Sequence, residues 1–250
     1  MSALVTVAVP TLNQGRFLGD ALESIFRQEV PVEVFVADGG STDNTLDVIR
    51  HWAPRLAGWR SEQDLGQSAA INACIRQGQS PFVMWLNSDD LLLDGGLCLL
   101  LSALEGVPRW PMVYGQVWNA DENLQRTSHV FTRAFCERLM ANLNIISQPG
   151  TLIRRSVWES VGGVDESLHM ALDYDLWWRI YIKHGAPGYI PSDVAINRNH
   201  GLTKTRTRRK QHYQEAIHVV RRHYGSVPWK WWLAWPLAVW GRSLLERQEL

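Results

Sequence analysis

Short unbroken apolar runs alternate with segments of helical periodicity from Leu4 to Leu86, and no other feature narrows the choice of fold as far. Residues 4–10, 33–37, 58–62 and 82–86 read as strands. Between them, Phe17, Leu18, Ala21, Leu22 and Ile25 recur at helical spacing within 16–28. Asp38-Gly39-Gly40-Ser41-Thr42-Asp43 reads as a turn that caps a helix through Ile49, with Asp43 as the cap, and a further helix is expected from Gln67 to Gln77. Strands buried on both faces need continuous apolar runs, and right-handed βαβ units join them into a parallel, doubly wound sheet. The expectation is therefore an α/β protein with a mostly parallel sheet.

The second half is less regular. Strands are expected near 111–119 and 127–131, and a helix near 132–142. A Gln148-Pro149-Gly150 turn precedes a short strand, Gly162-Gly163 interrupts the next helix, and a helix over 173–184 leads to a last strand over 188–196. Tyr213, Ile217, Val220 and Tyr224 then form one stripe of an amphipathic helix.

The 250 residues, 46% hydrophobic and 20% charged, suit one large domain with an appendage. Cys74, Cys98 and Cys136 lack metal-site spacing and read as thiols of a reducing compartment. Leu4–Val9 opens the chain as a strand with no basic flank or cleavage site, and no apolar run reaches the roughly 20 residues that span a bilayer. A cytoplasmic protein is expected.

The neutral total hides a polarity. Residues 197–250 hold 11 Lys/Arg against three Glu, a balance of +8, and the remainder holds 14 basic against 22 acidic residues, a balance of −8. Five of the 13 tryptophans lie in this tail, and Trp231–Gly241 is an uncharged segment between Lys230 and Arg242. Residues 204–242 thus suit an anionic membrane surface, with indoles at headgroup level, as a peripheral attachment at the inner face. The competing reading packs these tryptophans on the main domain or a partner subunit. Nucleic acid is not expected, because no recognised reading module accompanies the charge.

The chemistry concentrates where Phe82–Leu86 runs into Asn87-Ser88-Asp89-Asp90. Ligands of open α/β sheets bind at the carboxyl ends of such strands. Carboxylates there suit Mg²⁺ or Mn²⁺ with substrate phosphates, although an aspartate at that place also starts helices. Asp173 and Asp175 form a second carboxylate pair at a helix N-terminus, and their i, i+2 spacing gives them different jobs.

Taken in order, Pro10-Thr-Leu-Asn13, Ala37-Asp-Gly-Gly-Ser-Thr-Asp43, Ser61-Glu-Gln-Asp-Leu-Gly66, Ala70-Ile-Asn72, Leu86-Asn-Ser-Asp-Asp90, Gly162-Gly-Val-Asp165 and Leu172-Asp-Tyr-Asp-Leu-Trp-Trp-Arg179 resemble the inverting glycosyltransferases of family 2. The resemblance covers about residues 4–200 and implies the GT-A nucleotide-sugar fold, with a catalytic domain over 1–200 (nucleotide-binding half 1–95, acceptor half 96–200) and a helical tail over 201–250. It implies a nucleotide-sugar site at Pro10, Thr11, Asn13, Asp38, Asp64, Asn72, Asn87 and Ser88, with the Asp38 carboxylate toward the base. A turn-shaping role for Asp38 and a capping role for Asn72 are the alternatives. Family members carry Asp-x-Asp at the metal strand. Here Asn87 takes the first place, which leaves Asp89 as the main ligand of Mn²⁺ or Mg²⁺, Asp90 as helper and His200 completing the site.

Asp173 matches the family's general base, with Leu172 in place of the usual Glu, and helix capping is its alternative role. Asp175 is expected to cap or to meet the helix dipole. The implied reaction is metal-dependent, inverting transfer from a UDP- or dTDP-sugar to a hydroxyl of a glycan or lipid-linked acceptor, in cell-envelope polysaccharide synthesis. Two other classes compete: a non-catalytic sugar-nucleotide-binding or membrane scaffold, and a sugar nucleotidyltransferase. The latter lacks a basic glycine-rich loop, since residues 10–16 offer only Gly15 and Arg16.

Overall fold

A computed structural model of the protein describes residues 2–63, 65–201, 203 and 207–236, with the side chains of 234–236 left aside. The first half follows its sequence pattern closely. Strand β1 (Val5–Thr11) leads to helix α1 (Gly15–Phe26), β2 (Val32–Asp38) to α2 (Thr45–Trp52), and β3 (Gly58–Ser61) to α3 (Gln67–Gln77) and β4 (Phe82–Trp85). These four strands pair in parallel in the order β3-β2-β1-β4. β1 and β4 are buried at every residue, as strands covered on both faces must be.

The second half makes the sheet mixed. It comprises β5 (Leu91–Leu92), α4 (Gly96–Gly106), β6 (Met112–Ala120), β7 (Arg126–His129), α5 (Glu137–Asn142), β8 (Thr151–Arg154), α6 (Arg155–Val161), α7 (Leu172–His184) and β9 (Gly188–Arg198). The full order is β3-β2-β1-β4-β8-β6-β9-β5, with β7 beside β6. Strands β1, β2, β3, β4, β6 and β9 run one way, and β5, β7 and β8 run the other.

Three local differences from the sequence reading have physical causes. α4 buries Leu97, Leu100, Leu101 and Leu104 on one face, but Gly96-Leu-Cys-Leu-Leu-Leu101 is nearly all apolar, so periodicity missed it. α5 spans only Glu137–Asn142, with Cys136 extended in front of it. Gly162 ends α6 in the left-handed conformation rather than interrupting it.

Two apolar layers flank the sheet. One holds α1, α2 and α4; the other holds α3, α5, α6 and α7 together with two C-terminal helices, α8 (Arg209–Tyr224) and α9 (Trp229–Pro236). α7 is buried nearly all round. Trp177 stacks on Trp85 of the sheet (5.8 Å between centroids), while Trp178 faces His223 and Tyr224 of α8. Asp175 neither caps nor meets the dipole alone. It is fully buried and ion-paired to Arg179 (2.6 Å) and His223 (2.7 Å), which ties α7 to α8. Burial pushes its pKa up, but the His223 hydrogen bond and the Arg179 charge outweigh that and hold it below the ordinary value.

Asp175→Asn leaves Arg179 and His223 without their buried partner, at an expected cost of about 3–5 kcal/mol. That is a fall of about 10 °C in Tm. The stability owed to the carboxylate is present above the free-aspartate pKa of about 3.9 and lost as the pH falls through the lower folded value. Melting curves from neutral pH to pH 3 test this: the gap between native and variant Tm should begin to narrow below about pH 4, and a gap that holds constant refutes the ion-pair account.

Candidate active site

The aligned carboxyl ends of β1 and β2 place Thr11 beside Asp38, and Asp38 beside Ser61 of β3. Asp38 is buried, and its carboxylate accepts the Ser41 N–H (3.1 Å), the Ser41 hydroxyl and the Ser61 hydroxyl (2.6 Å). Asn13 adopts φ 51°, donates its N–H to Ser41 Oγ (2.7 Å) and accepts the Thr42 N–H (2.8 Å). The loops after β1 and β2 are therefore sewn into one wall, with Pro10 buried behind it. Among the described residues Thr11 Oγ1 is buried there with no hydrogen-bond partner.

Asp43 does cap, and it caps two helices. Its carboxylate accepts the Gly15 N–H of α1 (3.1 Å) and the Thr45 N–H of α2 (3.0 Å). The two helix starts approach so closely that a Cβ on Gly15 would lie 2.2 Å from Asn44 Oδ1. Burial raises the Asp43 pKa, but these hydrogen bonds outweigh it and lower it overall.

At the end of β4 the chain turns into β5, whose antiparallel pairing with β9 (Leu91 opposite Ile196) brings residues 89–90 to residues 198–200. Asp89 Oδ2 lies 3.0 Å from His200 Nε2. Asp90 is buried, accepting the Arg198 N–H (3.1 Å) and the Asn87 amide (3.1 Å). Its burial and the neighbouring Asp89 charge push its pKa well up. Mg²⁺ and Mn²⁺ bind through one or two carboxylates and leave positions for water and substrate phosphates. Asp89 with the His200 imidazole is an open oxygen–nitrogen set of that kind. Among the described residues no three His, Cys, Asp or Glu stand together as a metal-holding group.

Asp173 opens α7. Its carboxylate is half-buried, accepts the Tyr174 N–H (2.8 Å) and the Asn144 amide (3.3 Å), and has its pKa raised by burial. Two links join it to the end of β4. Asn144 reaches Asp173, and four residues later Gln148 binds Asn87 (3.3 Å) and the Trp85 carbonyl (2.7 Å). Four residues span at most about 14 Å. At the start of α3, Gln67 donates to Asn87 Oδ1 (2.7 Å) and Ser68 to the Leu168 carbonyl (2.7 Å), five residues before Asp173. Both links run from the neighbourhood of Asp173 to Asn87 at the end of β4, two residues before Asp89.

Several residues take other places than the sequence suggested. Asn72 is turned away from the edge. Its amide donates to the Val164 carbonyl (2.9 Å) and to Glu166 (2.9 Å), and accepts the Val164 N–H (3.1 Å). Gly163 fits there because its φ is +71° and a Cβ would sit 2.4 Å from Asn72 Oδ1. Asp90 braces the loop after β4 against β9, with one oxygen accepting the Arg198 N–H and the other the Asn87 amide. The Asn87 amide is itself held by Gln67, Asp90 and Gln148, and Ser88 is buried behind it. Asp64 lies outside the described residues, as do Lys204 and residues 237–250. Gln67, Asn144 and Gln148 escaped the sequence reading, because a loop amide carries no periodic or charge signal; only the Gln148-Pro-Gly turn hinted at its place.

Known proteins share both the sequence and the architecture. A protein of Mycobacterium tuberculosis described only as uncharacterized is 26% identical over 81% of this chain and 69% of its own length. Chondroitin synthase of Escherichia coli is 26% identical over 71% of this chain but only 26% of its own length. A PGL/p-HBAD biosynthesis glycosyltransferase of Mycobacterium bovis is 29% identical over 69% of this chain and 67% of its own. Among solved structures, S. aureus TarS 1-349 in complex with UDP-GlcNAc superposes with a TM-score of 0.70 at 17% identity, covering 88% of this chain and 66% of that one. Mannosyltransferase PcManGT from Pyrobaculum calidifontis, in complex with GDP-Man and Mn2+, gives 0.66 at 21% identity over 87% and 65%. The family profile described as Glycosyl transferase family 2 matches residues 6–162, from β1 through α6, and the chain belongs to that family of glycosyltransferases.

Proposed function

We propose that this glycosyltransferase moves a sugar, with inversion, from a UDP- or dTDP-sugar to a hydroxyl of a glycan or lipid-linked acceptor in cell-envelope polysaccharide synthesis, using Mn²⁺ or Mg²⁺. The observation that carries the reading is the double link, through Asn144–Gln148 and Gln67–Ser68, from the neighbourhood of Asp173 to Asn87, two residues before the Asp89 that pairs with His200. The nucleotide-sugar complexes of the TarS and PcManGT structures support a nucleotide-sugar donor.

The Asp38–Ser41–Ser61 wall, with Pro10, Thr11 and Asn13, receives the nucleoside; Asp64 is assigned beside it on the resemblance alone. The Thr11 hydroxyl is the buried polar group there still lacking a partner among the described residues. Asp89 and His200 would hold the divalent ion, which when bound would supply Lewis-acid neutralisation of the departing diphosphate. Asp173 removes the proton of the acceptor hydroxyl as that oxygen bonds to the anomeric carbon. The bond from that carbon to the diphosphate oxygen breaks on the opposite side, and its electron pair leaves with the nucleoside diphosphate. Burial, by raising the Asp173 pKa, makes it a stronger base than a free aspartate.

The acceptor is assigned to a membrane face through the tail. Among the described residues no helix is long and apolar enough to cross a membrane. In α9, Trp231 is buried, but Trp229, Trp232 and Leu233 are exposed beside Lys230. Such a surface suits anionic headgroups. Trp229→Ala with Trp232→Ala should cut co-sedimentation with phosphatidylglycerol vesicles several-fold, and undiminished pelleting removes the membrane assignment.

Donor choice is tested by thermal shift with UDP-, dTDP- and GDP-sugars, each with and without Mn²⁺. A ligand at 100 times its Kd stabilises the fold by about 2.7 kcal/mol. The expected result is a rise of several degrees with a UDP- or dTDP-sugar that needs Mn²⁺; a rise with GDP-sugars alone overturns the base assignment.

A further inference from the structure

The described tail, from Asn197 to Pro236, contains a single acidic residue among its many cations, and that residue points into the catalytic half of the fold. One oxygen of Glu215, on α8, accepts three consecutive backbone N–H groups: His169 (3.0 Å), Met170 (2.7 Å) and Ala171 (3.0 Å). Its other oxygen accepts the Gln211 amide (2.9 Å), so both are fixed. Ala171 is the N-cap of α7, and Asp173 follows two residues later. Successive N–H groups at a helix start form a concave anion site in which a carboxylate is strongly held.

A second contact from the tail reaches the other side of Asp173. Trp231 of α9 donates its indole N–H to the Ala141 carbonyl (2.8 Å) and packs on Tyr213 of α8. Ala141 precedes by three residues the Asn144 whose amide meets Asp173. The segments that flank Asp173, 141–144 and 169–171, are thus each held by a tail helix, while the Asp175–His223 pair binds α8 to α7 behind them.

We propose that Glu215 is a positioning residue for Asp173, and that α8 and α9 form a clamp without which the base is misplaced against the acceptor. This rests on the assignment of Asp173 as the base. Glu215 reaches the acceptor only through α7, so it sets the rate of the chemical step rather than donor binding. Misplacement of a reacting group by about 1 Å costs about 10²-fold in rate.

The experiment measures UDP release by the full chain from UDP-glucose and UDP-GlcNAc with Mn²⁺, water serving as acceptor, in Glu215→Ala, Asp173→Asn and the double variant. Amide hydrogen exchange at residues 169–171 is followed without substrate. Glu215→Ala should lower kcat by about 10²-fold with donor KM unchanged. Exchange at 169–171 should speed up. The double variant should be no slower than Asp173→Asn alone, to within about twofold, because both changes remove one function. Glu215→Gln, which keeps the side-chain length and one acceptor oxygen, should fall between native and Glu215→Ala and serves if the alanine variant folds poorly. Gln214→Ala, the exposed neighbour, should match native.

Native turnover in both Glu215 variants, a loss that multiplies with that of Asp173→Asn, or a donor KM that rises in step with the fall in kcat overturns the clamp. Native turnover in Asp173→Asn itself overturns the base assignment and, with it, this inference; that result is distinguishable because it does not depend on Glu215.

Discussion

Asp173→Asn is expected to lower sugar transfer by about 10³-fold, the range of a general base, while donor affinity stays within a few-fold of native. The substitution keeps the Asn144 contact geometry nearly isosteric but removes the group that takes the acceptor proton. The pH profile gives an independent measure. Burial raises the Asp173 pKa, and a base works only when ionised. Transfer should therefore rise with pH along an acid limb placed above the free-aspartate value of about 3.9, and Asp173→Asn should abolish that limb. Native kcat in the variant, or an acid limb at or below the free value, removes Asp173 from the reaction.

Asp89→Ala is expected to cost about 10²–10³-fold in kcat/KM, the scale of losing one group that stabilises developing charge. Asp89 is the partly exposed carboxylate at this edge, paired with His200, whereas Asp90 is committed to the Arg198 N–H and the Asn87 amide. The two aspartates should consequently fail differently. Asp89→Ala should abolish the Mn²⁺-dependent part of donor stabilisation with little change in the Tm of the free protein. Asp90→Ala should lower that Tm by several degrees, because it leaves a buried N–H unpaired. Turnover that survives EDTA undiminished contradicts the metal role.

Legibility in the sequence tracked how local the cause was. The β1–α1–β2 and α3–β4 units were readable because apolar runs and helical spacing are properties of neighbours along the chain. α4 was invisible for the same reason reversed: it buries Leu97, Leu100, Leu101 and Leu104, but Cys98 and Leu99 on its exposed face are also apolar and mask that stripe. Asp38, Asp89 and Asp173 were singled out from motif and strand-end logic; Asp38 ends β2, Asp89 lies in the loop between β4 and β5, and Asp173 lies in the first turn of α7. The bracing contacts of Asn72 and Asp90 were not legible, because a polar residue beside a motif looks the same whether it faces a ligand or braces a loop. Only its partners, Val164 for one and Arg198 for the other, separate the cases. The tail tryptophans divided: Trp231 packs inward on Ala141, whereas Trp229 and Trp232 remain exposed.

By itself the sequence determined the α/β class, the parallel strands of the first half and the family, since each depends on short-range pattern or on ordered motifs. Tertiary structure alone decided through which long-range pairings these side chains are held. The β5–β9 pairing carries His200 to Asp89 across 111 residues, and the 144–148 segment links Asp173 to Asn87. It also decided that Glu215, unremarkable in the sequence, and Asp175, expected there only to cap or meet the dipole, fasten α7 to α8. Long-range contacts of this kind are selected by the packing of whole elements, and no local spacing of residue types encodes them.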